Sequence, residues 1–580
     1  LHNMNTLSKS VLSSDNRVSV KDRLQQLQVR CQVLSKTLNL YEKLIKSHDN
    51  LRNVVFESSL DYEKGSAYDA IVALSNGESL SSNMNHDDRK GAQITDYDRL
   101  LAKFWNWLKE NNLRKIEDRV YRPAFNDQNQ NVYAFEQHPE LKDIETLVGH
   151  IPRLFKDWET LHSLISNGAI SKLILHLRTL ETTFFPTLKK DRYTIAFSNG
   201  LYSLKTLQFY PLTEKDLPPH FDPARFSAVK YHRINYDYAA MQREMNTFLS
   251  SNPSDPDYKF MHIDMEPFSH VLSYQKYEED EIYFIFGMLG RVLYEQNYHL
   301  DEKDLYGDNF ESELWFEGVA QSGKSTMMKW IQEVVHVSDV GVISNQVEKN
   351  FPLMGCVDRL FYLVYEMNEN FNLDQMLLQN MISGEMINIA VKNKSPIILK
   401  WNMHGCFSSN NIPDFKDNQN SMERRFAVVS HQHPVVTRDE KLFRFGVDRL
   451  DRFVTVISMA YHYLLRKSYT TDGGFRSLIP RKIIKNTKRV MSQCNPIRAF
   501  IEDKCIRFVG AINPDTMDPQ FKTYFNDFKE SLNAYKVENG MTDIKTNRNE
   551  IENTIRSSGL VLTSSDNSRD RLIWGIKLDL

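Results

Sequence analysis

The stretch ELWFEGVAQSGKSTMMKWIQ, Glu313 to Gln332, constrains this chain more than any other. A short apolar run enters a glycine, passes through Gln-Ser-Gly-Lys-Ser and continues into a helix-like pattern. Gly318, Val319, Ala320, Gln321, Ser322, Gly323, Lys324 and Ser325 fill the phosphate-loop spacing G-x-x-x-x-G-K-[ST] at every position, and Thr326 follows. The chemistry accounts for each residue type. Glycines let backbone N–H groups approach phosphate oxygens without an intervening Cβ; Lys324 neutralises the β and γ phosphates of ATP, and the Ser325 hydroxyl reaches Mg²⁺. A helix starting near Lys324 adds its positive end. A buried-strand pattern before the loop and a helical one after it argue against a chance glycine turn, and predict an α/β core.

Three further segments supply the other parts of such a site. RLFYLVYEMNE, Arg359 to Glu369, is an apolar run ending in Glu366, about forty residues beyond the loop. Glu366 is the candidate for polarising the attacking water, or for holding Mg²⁺ through a water. HGCFSSNNIPDF reads as another strand, ending in Ser409-Asn410, whose amide could orient the attacking water; taken alone, the same letters read as a turn. NSMERRFAVVSHQ places Arg424 and Arg425 just before a strand-like run. In a ring ATPase an arginine there reaches a neighbour's γ-phosphate, and Arg425, directly preceding FAVV, is the first choice; as a lone feature the pair is a solvated one.

With 580 residues the chain exceeds a single core and suggests three or four domains. It has no uncharged apolar run long enough for a membrane span, and LHNMNTLSKS lacks the apolar core of a signal peptide. It starts at Leu1 without Met, and is expected to be a piece of a longer polypeptide. Cys31, Cys356, Cys406, Cys494 and Cys505 are scattered, which fits a reducing compartment and predicts no structural metal. The net charge of −3 means that any nucleic-acid contact must be local.

Along the chain, Leu24, Leu27, Cys31, Leu34, Leu38, Tyr41 and Ile45 repeat at heptad spacing, either a helical hairpin within a domain or an oligomerising collar. A polar loop covers Leu74 to Gln93, and helical patterns run, with breaks, from DYDRLLAKFWNWLKENN to about Lys190. At TIAFSNGLYSLKTLQFYPLT the period becomes two, with Asn199-Gly200 as a hairpin signal. Helices follow, including DEIYFIFGMLGRVLYEQ; beyond Pro434 the pattern is helical to about Cys505, and the end reads as a helix followed by two strands. The expected division is a mostly helical N-terminal region (1–190), a helical domain preceding the ATPase (191–300), the ATPase core (301–435), and a C-terminal helical region with a small α+β, winged-helix-like module (436–580).

The order of loop, acid, basic hairpin segment, Asn strand and arginine resembles the superfamily 3 helicases of DNA viruses, whose core is an AAA+-type P-loop ATPase. Within the segment ISGEMINIAVKNKSPIILKWNMHGCFSSNNIP, the residues Ser383 to Glu385, Lys394, Lys400 and Asn410 resemble the poxvirus-type primase-helicase family of nucleocytoplasmic large DNA viruses, asfarviruses included. FSNGLYSL, GMLGRVLYE and IPRKIIKNTKRVMSQCNPIRAFIEDKC resemble the segments flanking that family's ATPase, so the likeness covers roughly Thr194 to Asp579. The resemblance implies an ATP- and Mg²⁺-dependent hexameric ring that translocates along single-stranded DNA at a replication fork in the host cytoplasm. It also implies a primase domain upstream, for which no carboxylate pattern is visible here. One departure stands out. Many superfamily 3 members carry two adjacent acids at the second strand tip, whereas Glu366 is followed by Met367; either Glu366 does both jobs, or Glu369 or Asp358 assists.

Between Ile387 and Lys400 there are three lysines, Lys392, Lys394 and Lys400, and no acid, with Asn393 and Ser395-Pro396 as turn chemistry. A hairpin of this kind in a ring channel grips DNA phosphates without reading bases; its plain alternative is a solvated loop. Arg481, Lys482, Lys485, Lys488 and Arg489 form a second cluster, a candidate fork contact or a solvated helix face. The leading function is a replicative helicase. A ring ATPase that packages DNA or remodels protein without unwinding is the alternative.

Overall fold

The computed structural model describes residues 96–151, 169–179, 181–252, 263–300, 307–344, 353–368, 371, 373–391, 395–413, 415, 421–538, 546–564 and 571–579. The chain forms two compact units, Leu1–Glu110 with Ile151–Lys172, and Asn111–His150 with Leu173–Leu580. The heptad seam from Leu24 to Ile45 lies outside the described residues. In the first unit, helix α1 (Asp96–Glu110) forms where its apolar periodicity predicts, with Phe104 stacked on Trp107.

The second unit begins with a correction to the helical reading of the N-terminal region. Strands β1 (Arg114–Ile116), β2 (Arg119–Phe125) and β3 (Asn131–Gln137) form an antiparallel sheet. Val132 and Ala134 on β3 alternate inward with period two, and Asn126 closes the turn by accepting the N–H groups of Gln128 and Gln130. Local alternation and an Asx turn outweigh helix propensity here. Helices α2 (Ile144–Gly149) and α3 (Ala169–Thr179) follow.

The next region, expected to be helical, also carries sheet. The strands are β4 (Lys190–Asp191), β5 (Thr194–Phe197), β6 (Gly200–Ser203), β7 (Gln208–Pro211), β8 (Ser227–Ala228) and β9 (Tyr231–His232). Strands β7-β6-β5-β9 make one sheet, and the predicted hairpin pairs Phe197 with Gly200. Helices α4 (Tyr238–Ser250), α5 (Phe268–Tyr274) and α6 (Glu279–Arg291) come after it.

The centre is a five-stranded parallel sheet. Its strands are β10 (Glu313–Gly318), β11 (Val340–Ile343), β12 (Phe361–Val364), β15 (Gly405–Ser409) and β16 (Phe426–His431), in the order β11-β12-β15-β10-β16. Between them come helix α7 (Lys324–Val334), helix α8 (Gln375–Ser383), and the antiparallel hairpin of β13 (Met386–Ile389) and β14 (Ile397–Lys400). Parallel strands covered on both faces read as continuous apolar runs, and alternate residues go to opposite cores. Leu314, Phe316, Leu363, Cys406, Ala427 and Val429 enter one core together with α5, α6 and α7. Trp315, Tyr362, Val364, Phe407, Phe426 and Val428 enter the other with α8 and the hairpin's Ile387 and Ile389.

Helices α9 (Leu442–Val447), α10 (Leu450–Thr470), α11 (Phe475–Leu478), α12 (Arg481–Cys494) and α13 (Pro496–Lys504) continue the chain. The long α10 lies against α6, and the close approach depends on two glycines: a Cβ at Gly290 would sit 1.8 Å from the Ile457 carbonyl oxygen, and one at Gly287 would meet Leu464. The C-terminal module has its own core around Phe500, Phe528, Ile551 and Ile573. It comprises β17 (Cys505–Arg507), β18 (Lys522–Tyr524), α14 (Phe525–Glu538), α15 (Arg548–Ser557), β19 (Val561–Ser564), β20 (Arg571–Trp574) and β21 (Ile576–Leu578). The predicted helix and two strands are α15, β19 and β20; β18 adds a third strand in the order β18-β20-β19. Among the described residues no helix is long and apolar enough to cross a membrane.

Candidate nucleotide-binding site

The loop between β10 and α7 is shaped by backbone conformations that exclude most side chains. Gly318 has φ +138, and a Cβ there would lie 2.1 Å from the His431 carbonyl oxygen of β16; Gly323 has φ +93, and its Cβ would meet Val271 of α5 at 2.7 Å. Gln321 takes φ 57, uncommon for a residue with a side chain. Val319 N donates to His431 O at 3.0 Å, and Val435 N donates to Gln321 O at 2.8 Å. Helix α7 starts at Lys324 with Gly323 as its N-cap, so no cap side chain competes for the first N–H groups. Val319, Ala320, Gln321 and Ser325 are exposed, and Thr326 is half-buried.

Lys324 is buried under its own loop. Its Nζ donates to Gly318 O at 2.8 Å, Val319 O at 2.5 Å and Ser322 Oγ at 3.3 Å. Burial pulls its pKa down to about 8, against the opposing field of Glu317. Carbonyl dipoles are weaker partners for an ammonium than phosphate oxygens, so anion binding restores the charged form. Above pH 8 a growing fraction of the lysine must take up a proton before it can hold a phosphate. For a loop that takes a nucleoside triphosphate, the expected affinity is about tenfold weaker at pH 9 than at pH 7, as read by titration calorimetry with ATP; an affinity flat to pH 9 contradicts this.

Two residues absent from the sequence reading fix the loop. Gln275, buried at the end of α5, donates through Nε2 to Ser322 O (3.1 Å) and His433 O (2.6 Å), and its Oε1 accepts from His433 N (2.9 Å). His431 Nδ1 donates to Ser322 O at 2.8 Å; burial pushes its pKa down to about 4, so the ring is neutral. Glu317, the last side chain before the loop, accepts from Arg489 of α12 at 2.5 Å and from Ser430 Oγ at 2.8 Å. Part of the basic cluster on α12 thus serves this contact: Lys482 also lies over the Tyr277 ring, while Arg481, Lys485 and Lys488 are exposed.

The strand register gathers the other predicted residues along one edge. Ser409 pairs with Glu317, so Asn410 follows one strand away from Gly318, and it is exposed. Trp315 Nε1 donates to Ser409 Oγ at 2.8 Å and ties the two strands. Met367 N donates to Ser408 O at 2.8 Å, which sets Glu366 at the same level, exposed and with φ 53. A glutamate in the left-handed region is unusual, and such conformations cluster at functional sites. Asp358 precedes β12 and so lies at the opposite edge of the sheet; Glu369 lies outside the described residues.

Arg424 and Arg425 sit in a 3-10 turn immediately before β16. Glu313 pairs with Phe426, so both arginines stand at the far end of the sheet from their own loop, about 20 Å along the strand. Arg425 is buried and tied within the chain, its guanidinium donating to Ser421 O at 2.8 Å, Ser383 Oγ at 3.1 Å and Gln379 O at 3.4 Å. Arg424 is exposed. Of the hairpin lysines, Lys400 ends β14 and is exposed, opposite Met386; Lys392 and Lys394 lie outside the described residues.

A family described as of unknown function (DUF5906) matches residues 316–425. No curated protein matches the chain. Among the solved structures that resemble it are three of the apo C-terminal region of NrS-1. One, an A form, is 12% identical, covers 81% of this chain and 99% of its own, and has a TM-score of 0.32. A second is 10% identical over 82% and 99% at 0.33, and a third, another A form, 10% identical over 79% and 96% at 0.32.

Proposed function

We propose that this chain is an ATP-driven DNA helicase of a replication apparatus, built on an AAA+-type P-loop core and acting as a hexameric ring on single-stranded DNA. The observation that carries the reading is the strand order. The loop-bearing strand is interior, and the central Asn410 strand lies between it and the Glu366 strand, so lysine, acid and amide share the carboxyl edge of one parallel sheet. On this reading Gly318 to Thr326 wrap the ATP phosphates, Lys324 faces the β and γ groups, and Ser325 and, through water, Glu366 hold Mg²⁺. Glu366 and Asn410 orient the attacking water.

The arginines fit only a neighbour's site, because a residue at the opposite sheet edge cannot reach its own loop. Arg424 is the finger on exposure; Arg425 holds the turn that presents it. Arg424→Ala subunits mixed with Lys324→Ala subunits should recover hydrolysis that neither has alone, at interfaces joining an intact finger to an intact loop. No recovery at any ratio, with assembly confirmed, contradicts a finger supplied in trans. Lys392, Lys394 and Lys400 hold DNA phosphates in the channel, and a primase domain or other replication proteins are the expected partners.

The second reading, a ring ATPase for packaging or protein remodelling, shares the nucleotide site. Forked duplex separates them: ATP-dependent release of a strand supports the helicase, and turnover without release supports the alternative.

A further inference from the structure

Away from the parallel sheet, the second unit has a shallow, open surface cleft lined by Arg114 and Phe135 of the β1–β3 sheet, Lys189, Arg225 and Phe226. Each guanidinium lies over a ring, Arg114 above Phe135 and Arg225 above Phe226, both 5.8 Å from the centroid. Lys189 and Arg225 are exposed, and Arg114 and both rings are half-buried. Two carboxylates nearby keep their charge but make no ion pair with these cations among the described residues. Glu181, whose field reaches Arg114, accepts from Thr187 N (2.8 Å) and Oγ1 (2.5 Å), and Asp222 accepts from Ala224 N at 3.0 Å. Among the described residues, then, three cations gather at one cleft without an ion-pair partner. Such a cluster of cations on an open surface suits the phosphodiester backbone of a polyanion.

We propose that this cleft is a second contact for single-stranded nucleic acid, outside the ATPase core. Its open sides suit a strand passing through rather than an enclosed mononucleotide. Lys189 and Arg225, both exposed, hold the backbone, with Arg114 beside them. The choice of a nucleic acid among polyanions rests on the helicase reading; the cluster of cations and rings does not.

The test is fluorescence anisotropy of a labelled oligo-dT with the full chain, without nucleotide, across a salt series. Lys189→Ala/Arg225→Ala should bind about tenfold more weakly at low salt, with a slope of log affinity against log salt shallower by about 1.4, from two lost phosphate contacts. Its thermal transition should match the parent, both side chains being exposed. Unchanged affinity and slope overturn the proposal. So does polyglutamate of equal charge displacing the oligonucleotide as well as unlabelled oligo-dT does, which would mark an acidic-polypeptide site. The same double substitution in a Lys324→Ala background should lose the same affinity, so failure of the helicase reading, seen as no strand release, is told apart from failure of this one.

Discussion

Lys324→Ala is expected to abolish ATP turnover, by about 10³-fold or more, and to leave the parallel sheet folded. The functional loss follows from the position of Nζ, the cation held within the loop by Gly318 O, Val319 O and Ser322 Oγ. On the proposed reading, with it gone the developing charge on the γ-phosphate meets only backbone N–H groups, Mg²⁺ and the neighbour's arginine. The fold should tolerate the change because the lysine is buried at some cost; burial already holds its pKa down at about 8. Linkage gives the sign: the unfolded chain binds the proton more tightly between about pH 8 and the ordinary lysine value, so this group lowers stability at neutral pH. Phosphate release by purified variant, with circular dichroism to confirm folding, is the measurement. Hydrolysis within tenfold of the parent removes the loop from the mechanism.

The largest expected effect on stability lies at the opposite end of the same strand. Glu313, the first residue of β10, is buried with Asp308, Arg291, His404 and Tyr461. Arg291 bonds Asp308 through two nitrogens, at 2.7 and 3.0 Å, and lies 3.5 Å from Glu313. His404 Nδ1 is 3.2 Å from Glu313, and Tyr461 donates to Asp308 at 2.7 Å. Burial drives the His404 pKa down, reinforced by Arg291, so the imidazole is neutral and Arg291 alone opposes two carboxylates. Burial by itself would raise the Asp308 pKa; Arg291 and its hydrogen bonds reverse this and hold it below the usual range. Arg291→Met leaves those carboxylates uncompensated and should cost about 3–5 kcal/mol. Replacing Asp308 as well, in Arg291→Met/Asp308→Leu, should recover part of that. Urea unfolding followed by tryptophan fluorescence reads both, and a single variant within about 0.5 kcal/mol of the parent would show that the network does not anchor β10.

The sheet edge that gathers Lys324, Glu366 and Asn410 was legible because parallel strands and a glycine-bounded strand-to-helix loop leave local marks. Leu314–Phe316, Phe361–Val364 and Gly405–Phe407 are apolar on both faces, and the polar residues just beyond them stand out. The sheet of β1 to β3 was hidden because Arg122 and Pro123 interrupt the apolar signal in RVYRPAF, next to a strong helical period in α1. Gln275 was invisible for another reason: it reaches Ser322 and His433 only through the tertiary fold, from a separate element, and a glutamine between helices carries no pattern. The choice between Arg424 and Arg425 depends on a single 3-10 turn, which directs one side chain inward and its neighbour out. Sequence spacing cannot tell adjacent residues apart in that way.

The helicase reading is tested most directly by strand release from a forked duplex bearing a labelled strand, with ATP and Mg²⁺, comparing the parent with Lys324→Ala. The parent should release the strand only when ATP is present, with Lys324→Ala still binding the fork but releasing none. ATP hydrolysis by the parent without any release, on forks of either tail polarity, would contradict the helicase and leave a ring ATPase that does not unwind.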